Sequence, residues 1–115
     1  MPTFTVETNV SQKDFPQNWH KEATDLIANI LSKPVQYVLV QSFPDVNMTF
    51  AGTTEPCASV KLTSIGGINE KANRGHVTTI TEFIERTLKV PRDRMYINFF
   101  DGRRDMIGWN NKLFA

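Results

Sequence analysis

The sequence predicts an α/β (α+β) fold in which one β-α-β pattern occurs twice. Three observations support this: an alternating N-terminal segment, two stretches with apolar residues at helical spacing, and two apolar runs that each follow a proline. The first copy spans about residues 2–52 and the second about residues 57–110, and corresponding positions are offset by about 56–59 residues. Since 115 residues suit one domain, we expect residues 1–115 to form a single domain.

The first copy contains a strand, a helix and a second strand. Residues 3–9 alternate between apolar and polar side chains, which is strand periodicity. Asp14 and Pro16 mark the start of a helix, and Lys33-Pro34 ends it. Residues 36–42 form an apolar run that is typical of a strand covered on both faces. The apolar face of the helix comprises Trp19, Ala23, Leu26, Ile27, Ile30 and Leu31.

The second copy repeats this order after a connecting segment. Residues 43–52 predict a turn and a short strand that ends at Gly52. A strand then begins at Cys57 or Ala58 and is broken by Gly66-Gly67. A helix is predicted over roughly residues 70–88, followed by an apolar strand over residues 95–100 and a short last strand over residues 107–109.

Two β-α-β units side by side give a four-stranded mixed sheet with both helices on one face. We expect the strands that are apolar on both faces, residues 36–42 and 95–100, to lie at the centre of this sheet. The face without helices then needs a cover, and in a short chain a second copy of the same chain can supply it. The pattern therefore predicts an obligate oligomer.

The composition argues against nucleic acid and membranes as partners. Lys and Arg total 13 against 12 Asp and Glu, so the net charge is only +1. RNA-recognition modules share this element order, but residues 96–99 lack the glycine and basic residues of their central strand. No apolar run approaches the ~20 residues of a membrane span. No signal peptide is recognisable, so we expect synthesis in the cytosol.

Cofactor and metal motifs are also missing from the sequence. Cys57 is the only cysteine, which excludes an internal disulfide. His20 and His76 fall on different predicted helices and nothing pairs them with further ligands, so we expect no metal site. No phosphate-binding loop or nucleotide fingerprint is present, and we therefore expect no cofactor.

Pro2 follows the initiator methionine and opens the first strand. Aminopeptidases remove methionine before a small residue, which would leave a secondary amine on a rigid ring. An ordinary α-amino group titrates near pH ~8, and burial or a nearby cation lowers that pKa. A partly neutral amine is suited to proton abstraction. The alternative is that Pro2 has no functional role. If Met1 stays in place, the Pro2 nitrogen is an amide and cannot act as a base.

The chain resembles the macrophage migration inhibitory factor family of the tautomerase superfamily. The likeness covers essentially the whole chain, and its segments occur in the same order and spacing. They are Pro2 through Val10, Lys33-Pro34 with Tyr37-Val38, Gly52 through Ala58, Ser64-Ile65-Gly66, Asn73-Arg74, Asp93 through Asn98, and Gly108 through Asn111 with Leu113-Phe114-Ala115.

The resemblance implies a homotrimer with three active sites at the subunit boundaries. Pro2 would be the catalytic base, and Lys33 would lower its pKa and attract the substrate carboxylate. The alternative for Lys33 is a lysine favoured by the helix dipole. Ser64 and Ile65 match a family segment in which the backbone amide of the isoleucine faces the ligand. The alternative is that these residues are simply the end of a strand.

The remaining site residues are also implied by the resemblance. Tyr96 and Asn98 alternate on one strand and would reach the neighbouring subunit's pocket, unless they are plain surface residues. An apolar rim for an aromatic substrate, with core or subunit packing as the alternative, would consist of Tyr37, Ile107, Trp109 and Phe114.

Several positions depart from the family pattern. The second cysteine of a Cys-x-x-Cys motif after Pro56 is missing, which argues against thiol–disulfide chemistry. Gln12 replaces an arginine implicated in receptor binding. Phe99 stands where a pocket-rim tyrosine is common. Arg103-Arg104 form either a solvated turn or an attractive patch for acidic substrates.

The function implied by the resemblance is keto–enol tautomerisation of a small aromatic 2-keto acid, such as phenylpyruvate, or of D-dopachrome. Cytokine-like signalling through a cell-surface receptor would accompany it, with the protein both cytoplasmic and secreted by a non-classical route. The alternative is a secreted receptor-binding protein whose pocket is vestigial.

Overall fold

The computed structural model describes residues 1–115 as one four-stranded sheet, two helices and a small hairpin. Neither helix has the length and apolarity that crossing a bilayer requires. The elements in chain order are β1 (Thr3–Thr8), α1 (Trp19–Leu31), β2 (Leu39–Phe43), β3 (Ala58–Ser64), α2 (Glu70–Leu88), β4 (Met95–Asp101), β5 (Gly108–Trp109) and β6 (Lys112–Leu113).

The sheet has the strand order β2-β1-β3-β4. β1 pairs in parallel with β2, and β3 pairs in parallel with β4, so each pair is one β-α-β unit. The two units join through the antiparallel pair of β1 and β3 at the centre, where Val6 lies opposite Val60. This mixed sheet confirms the predicted fold class.

The hydrophobic core lies between the sheet and the two helices. β1 contributes Phe4 and Val6, and β3 contributes Val60 and Leu62, all with no exposed surface. Trp19 at the start of α1 is also fully buried, and its indole Nε1–H donates to Thr87 Oγ1 of α2 at 3.0 Å. The helices therefore cover one face of the sheet and are tied to each other by a buried hydrogen bond.

The prediction that the doubly apolar strands lie at the centre was wrong. They are the edge strands β2 and β4, while the central strands β1 and β3 alternate. On the face without helices, the centre carries short or charged side chains such as Glu7 and Lys61, which form an ion pair at 3.3 Å. The edges of that face expose the apolar side chains Leu39, Phe43, Tyr96 and Phe100.

Three local predictions also differ from the structure. Val35–Tyr37 form a short 3-10 turn after Pro34, so the second strand begins at Leu39 and not at residue 36. The short strand predicted within residues 43–52 is absent: β2 ends at Phe43, and beyond it Phe50 forms only an isolated bridge with Thr53. The first helix begins at Trp19, because a separate 3-10 turn occupies Gln12–Asp14.

The predicted last strand corresponds to β5, the first strand of a hairpin with a two-residue turn. β5 pairs with β6 in antiparallel register. The connecting Asn110 and Asn111 have φ angles of 52° and 67°, and asparagine is among the few residues that accept this left-handed conformation in a tight hairpin turn.

Candidate functional site

A cavity of about 310 Å³ opens beside the amino terminus. Its walls come from the start of β1, the 3-10 turn before β2, and the segment around the C-terminal hairpin. Seven of its eleven lining residues are hydrophobic, which suits an aromatic ligand. They are Met1, Pro2, Thr3, Gln36, Tyr37, Val38, Leu39, Ile107, Gly108, Trp109 and Phe114.

Pro2 is held in this wall by the sheet itself. Its ring is fully buried, and its carbonyl accepts the N–H of Leu39 at 2.9 Å. Burial, and to a smaller degree the charge of Lys33, lower the pKa of the Met1 α-amino group below its ordinary value. Removal of Met1 would place the amine one residue further in, on the buried ring.

Lys33 lies just beyond α1, where Ser32 adopts a left-handed conformation with φ 53°. That turn carries Lys33 away from the helix axis, and its ammonium donates to the carbonyl of Ile65 at 3.2 Å. The last turn of α1 contains no basic residue, so Lys33 belongs to the segment that connects α1 to β2. Its charge acts on the amino terminus and on the turn after β3 together.

Ser64 and Ile65 have different placements. The Ser64 side chain points to the helix-covered face, is fully buried, and its Oγ has no hydrogen-bond partner. Ile65 follows the end of β3 and is partly exposed. Any contact of this pair with a ligand therefore falls to the backbone and to Ile65, not to the Ser64 hydroxyl.

Aromatic side chains form the outer wall of the cavity. The rings of Tyr37 and Trp109 meet edge to face with centroids 5.4 Å apart. The N–H of Phe114 donates to the carbonyl of Ile107 at 3.1 Å and closes the C-terminal segment against the hairpin. Trp109 keeps 55% of its surface exposed, so this wall is open to solvent in a single chain.

Tyr96 and Asn98 do not lie at this cavity. They are on the face of β4 that the helices leave uncovered, where Tyr96 pairs in register with Ser59 and is 70% exposed. Tyr96 contacts Phe50 with ring centroids 5.1 Å apart. A single chain therefore separates the predicted site residues into two groups on different parts of its surface.

Four other positions flagged in the sequence also do not line the cavity. Phe99 packs against the core, with its ring centroid 6.2 Å from that of His76, and does not line this cavity. Arg103 pairs with Asp105 at 2.7 Å, and Arg104 is exposed. His20 bonds to Ser42 at 2.7 Å across α1 and β2.

Sequence reasoning missed four groups near the site. Gln36 and Val38 flank Tyr37 in the cavity wall because the 3-10 turn, unlike a strand, presents consecutive residues to one side. His76 and Asp101 hold the backbone after β3, where the His76 Nε2–H donates to the Gly67 carbonyl at 2.8 Å and the Asp101 carboxylate accepts the Gly66 N–H at 3.2 Å. No sequence signal marks a side chain that acts on a backbone group far along the chain.

Comparisons with known proteins give one consistent result. A family model described as Macrophage migration inhibitory factor matches residues 1–115. The chain is 40% identical over 114 residues to the macrophage migration inhibitory factor homolog of Trichinella spiralis, covering 99% of this chain and all of the relative. It is 39% identical to the macrophage migration inhibitory factor of Rattus norvegicus over the full length of both chains.

Solved structures agree with the sequence comparison. The structure of the Trichinella spiralis factor superposes with a TM-score of 0.96 at 38% identity, covering 97% of this chain and 99% of that chain. The homologue from Prochlorococcus marinus gives a TM-score of 0.90 at 30% identity, covering 98% of this chain and 99% of that one. With the whole chain matched in sequence and in fold, this protein belongs to the macrophage migration inhibitory factor family, which has the tautomerase-type fold.

Proposed function

We propose that this protein is a keto–enol tautomerase that uses the amine of Pro2, after removal of Met1, as its catalytic base. The observation that carries the proposal is the position of the amino terminus in the wall of an apolar cavity, where burial and Lys33 lower the pKa of the Met1 α-amino group. An amine whose pKa is lowered and that faces an apolar cavity is suited to proton abstraction next to a carbonyl. Phenylpyruvate and D-dopachrome are the proposed substrate types.

In this proposal each group has one role. The lone pair of the Pro2 nitrogen takes a proton from the carbon beside the keto group of a 2-keto acid. Electrons of that C–H bond form the carbon–carbon double bond, and those of the carbonyl π bond move to oxygen. The protonated amine then returns the proton to this oxygen, so the reaction is balanced without a cofactor. The Ile65 N–H would donate to the developing enolate oxygen, and Lys33 would hold the carboxylate.

The aromatic wall would select the substrate. Tyr37 and Trp109 offer two ring faces, and Ile107 and Phe114 add aliphatic and aromatic surface around them. No acidic side chain lines the cavity, so the 2-keto acid's carboxylate meets no like charge there. A small aromatic 2-keto acid matches both properties.

We further propose that the active molecule is a homotrimer in which Tyr96 and Asn98 of one chain complete the cavity of the next. Support comes from the uncovered sheet face, whose edges expose Leu39, Phe43 and Phe100. Apolar edge strands of this kind are normally covered. Analytical ultracentrifugation at micromolar concentration tests the assembly, and a monomer would refute it.

Membership of the family also supports cytokine-like signalling outside the cell. We propose that the protein is cytoplasmic, leaves the cell by a non-classical route and binds a cell-surface receptor. The competing function is receptor binding alone, with a vestigial cavity.

The decisive experiment is phenylpyruvate tautomerisation by protein whose intact mass shows that Met1 is gone. Pro2→Ala keeps a small second residue and a free amine but loses the rigid secondary amine, and Pro2→Gly does the same with no side chain. Each variant should stay folded and lose activity. If the correctly processed wild type is inactive, the catalytic proposal is refuted and receptor binding alone becomes the function to test.

A further inference from the structure

The turn between β3 and α2 is held at four consecutive residues by groups from other parts of the chain. The Ser64 carbonyl accepts the Gly102 N–H at 2.8 Å, and the Ile65 carbonyl accepts the Lys33 ammonium at 3.2 Å. The Gly66 N–H donates to Asp101 Oδ1 at 3.2 Å, and the Gly67 carbonyl accepts His76 Nε2–H at 2.8 Å. By contrast, the Ile65 N–H donates to no protein group.

The turn needs such support because of its composition. Gly66 and Gly67 have φ angles of +78° and +74°, a region that glycine enters at little cost but also leaves easily. Both glycines are exposed, so packing does not fix them. The bonds from His76 and Asp101 therefore set the peptide planes on the C-terminal side of Ile65.

The same turn lies near the cavity wall. A Cβ at Gly102 would lie 2.7 Å from Ile107 Cδ1 and 3.6 Å from Ile65 Cγ1, so both side chains converge on that glycine. Ile107 lines the cavity together with Pro2. The unpaired N–H of Ile65 thus belongs to a residue that shares Gly102 as a near neighbour with a cavity-lining side chain.

We propose that His76 and Asp101 are positioning residues that fix the Ile65–Gly67 turn and so aim the Ile65 N–H at the enolate oxygen. The inference rests on the proposed tautomerase function, and neither residue touches substrate in it. His76 is 6% exposed and acts from α2, while Asp101 acts from the exposed end of β4.

The expected effect is on turnover. Removing a preorganised donor of this kind costs about 10²–10³ in kcat. Loosening the donor without deleting it should cost less, on the order of tenfold, since a displacement of about 1 Å costs up to ~10² in rate. KM and the acidic limb of the pH–rate profile should stay as in the wild type, because Pro2 and Lys33 are untouched.

The test uses two pairs of variants of the processed protein. His76→Leu and Asp101→Ala remove the donor and the acceptor, whereas His76→Gln and Asp101→Asn keep one of each. We expect kcat for phenylpyruvate to fall about tenfold in the first pair, with the second pair close to the wild type. If the conservative variants lose as much kcat as the disruptive ones, the role of these residues is merely structural, and unchanged kcat in the disruptive variants would also overturn the proposal.

Amide hydrogen exchange separates this inference from the proposed function. Asp101→Ala and His76→Leu should each speed exchange at Gly66, whose N–H is the hydrogen-bonded amide of this turn, with the core strands unchanged. If the wild type proves inactive, the proposed function fails while faster exchange still supports the fixed turn. Unchanged exchange overturns the positioning role. Should His76→Leu not fold, the exposed Asp101 pair decides alone.

Discussion

Gly102→Ala tests the contact between the end of β4 and the cavity wall. The new Cβ would stand 2.7 Å from Ile107 Cδ1, well inside the 3.5–4.0 Å of an ordinary carbon–carbon contact. Its other near neighbours, Ile65 Cγ1 and the Ser64 carbonyl oxygen, are both at 3.6 Å and need not move. The clash is therefore confined to one methyl group, and Ile107→Val deletes that methyl.

The magnitudes follow from this geometry. Overpacking by one carbon lowers the free energy of unfolding by about 1–3 kcal/mol. Replacing glycine also restricts the unfolded chain, which raises the free energy of unfolding by about 0.4–1 kcal/mol because the φ of Gly102 is not in the left-handed region. Ile107→Val alone should cost about 0.5 kcal/mol, the low end for this change, since Ile107 is half-buried. In the double variant the alanine methyl occupies the space of the lost Cδ1, so we expect a coupling of about 1–2 kcal/mol in favour of the pair.

Unfolding in urea at one fixed protein concentration measures all four proteins, because assembly makes stability depend on concentration. Gly102→Ala should also raise KM for phenylpyruvate by pushing Ile107 into the cavity, and Ile107→Val should reverse that increase. Additive free energies of unfolding would refute the reasoning, since they would mean that the alanine methyl never meets Ile107.

Three further changes have outcomes set by the structure. Lys33→Met removes a charge that lowers the pKa of the Met1 α-amino group and that should act in the same way on the Pro2 amine of the processed protein. Because the proposed base works only when neutral, the acidic limb of kcat/KM should move to higher pH, and a limb in its original place would contradict this. Trp19→Phe should lower the free energy of unfolding by about 2 kcal/mol through a cavity and the lost bond to Thr87, whereas Thr87→Ser should cost less in the same urea titration. Gly67→Ala, at φ +74°, should lower the free energy of unfolding by about 1–2 kcal/mol. Gly75→Ala, on the exposed side of α2, should raise it by about 0.5–1 kcal/mol. A higher melting temperature for Gly67→Ala than for Gly75→Ala would refute this conformational argument.

The elements with a single buried face were predictable from the sequence. The helix expected over residues 70–88 is α2 at Glu70–Leu88, because its apolar residues recur at helical spacing and Lys89 leaves the helix in a left-handed conformation. The order of the strands was not predictable in the same way. β2 and β4 carry apolar residues on both faces. Such a pattern is the same for a central strand that its own chain encloses and for an edge strand that a partner covers, so it does not determine the strand order.

The candidate site divides in a similar manner. The resemblance pointed to Pro2, Tyr37 and Trp109, which the structure brings to one cavity. Gln36 was missed because a 3-10 turn replaces the expected start of a strand. Asp101 and His76 were missed because their partners are backbone groups 35 and 9 residues away, and periodicity carries no information about such contacts.

In the proposed mechanism a chain end has to serve as a fixed catalytic group, and the position of the amino terminus would allow this. Chain ends normally fray, but β1 is a central strand, with Leu39 opposite Thr3 on one side and Thr63 on the other. The first sheet bond of the chain is accepted by the Pro2 carbonyl, so proline's missing N–H removes no bond and Met1 contributes none to the sheet. Protein made with methionine aminopeptidase inhibited should therefore unfold at nearly the same urea concentration as processed protein, yet show no tautomerase activity. Equal activity of the two forms would exclude the Pro2 amine as the base, because in the unprocessed form that nitrogen is an amide.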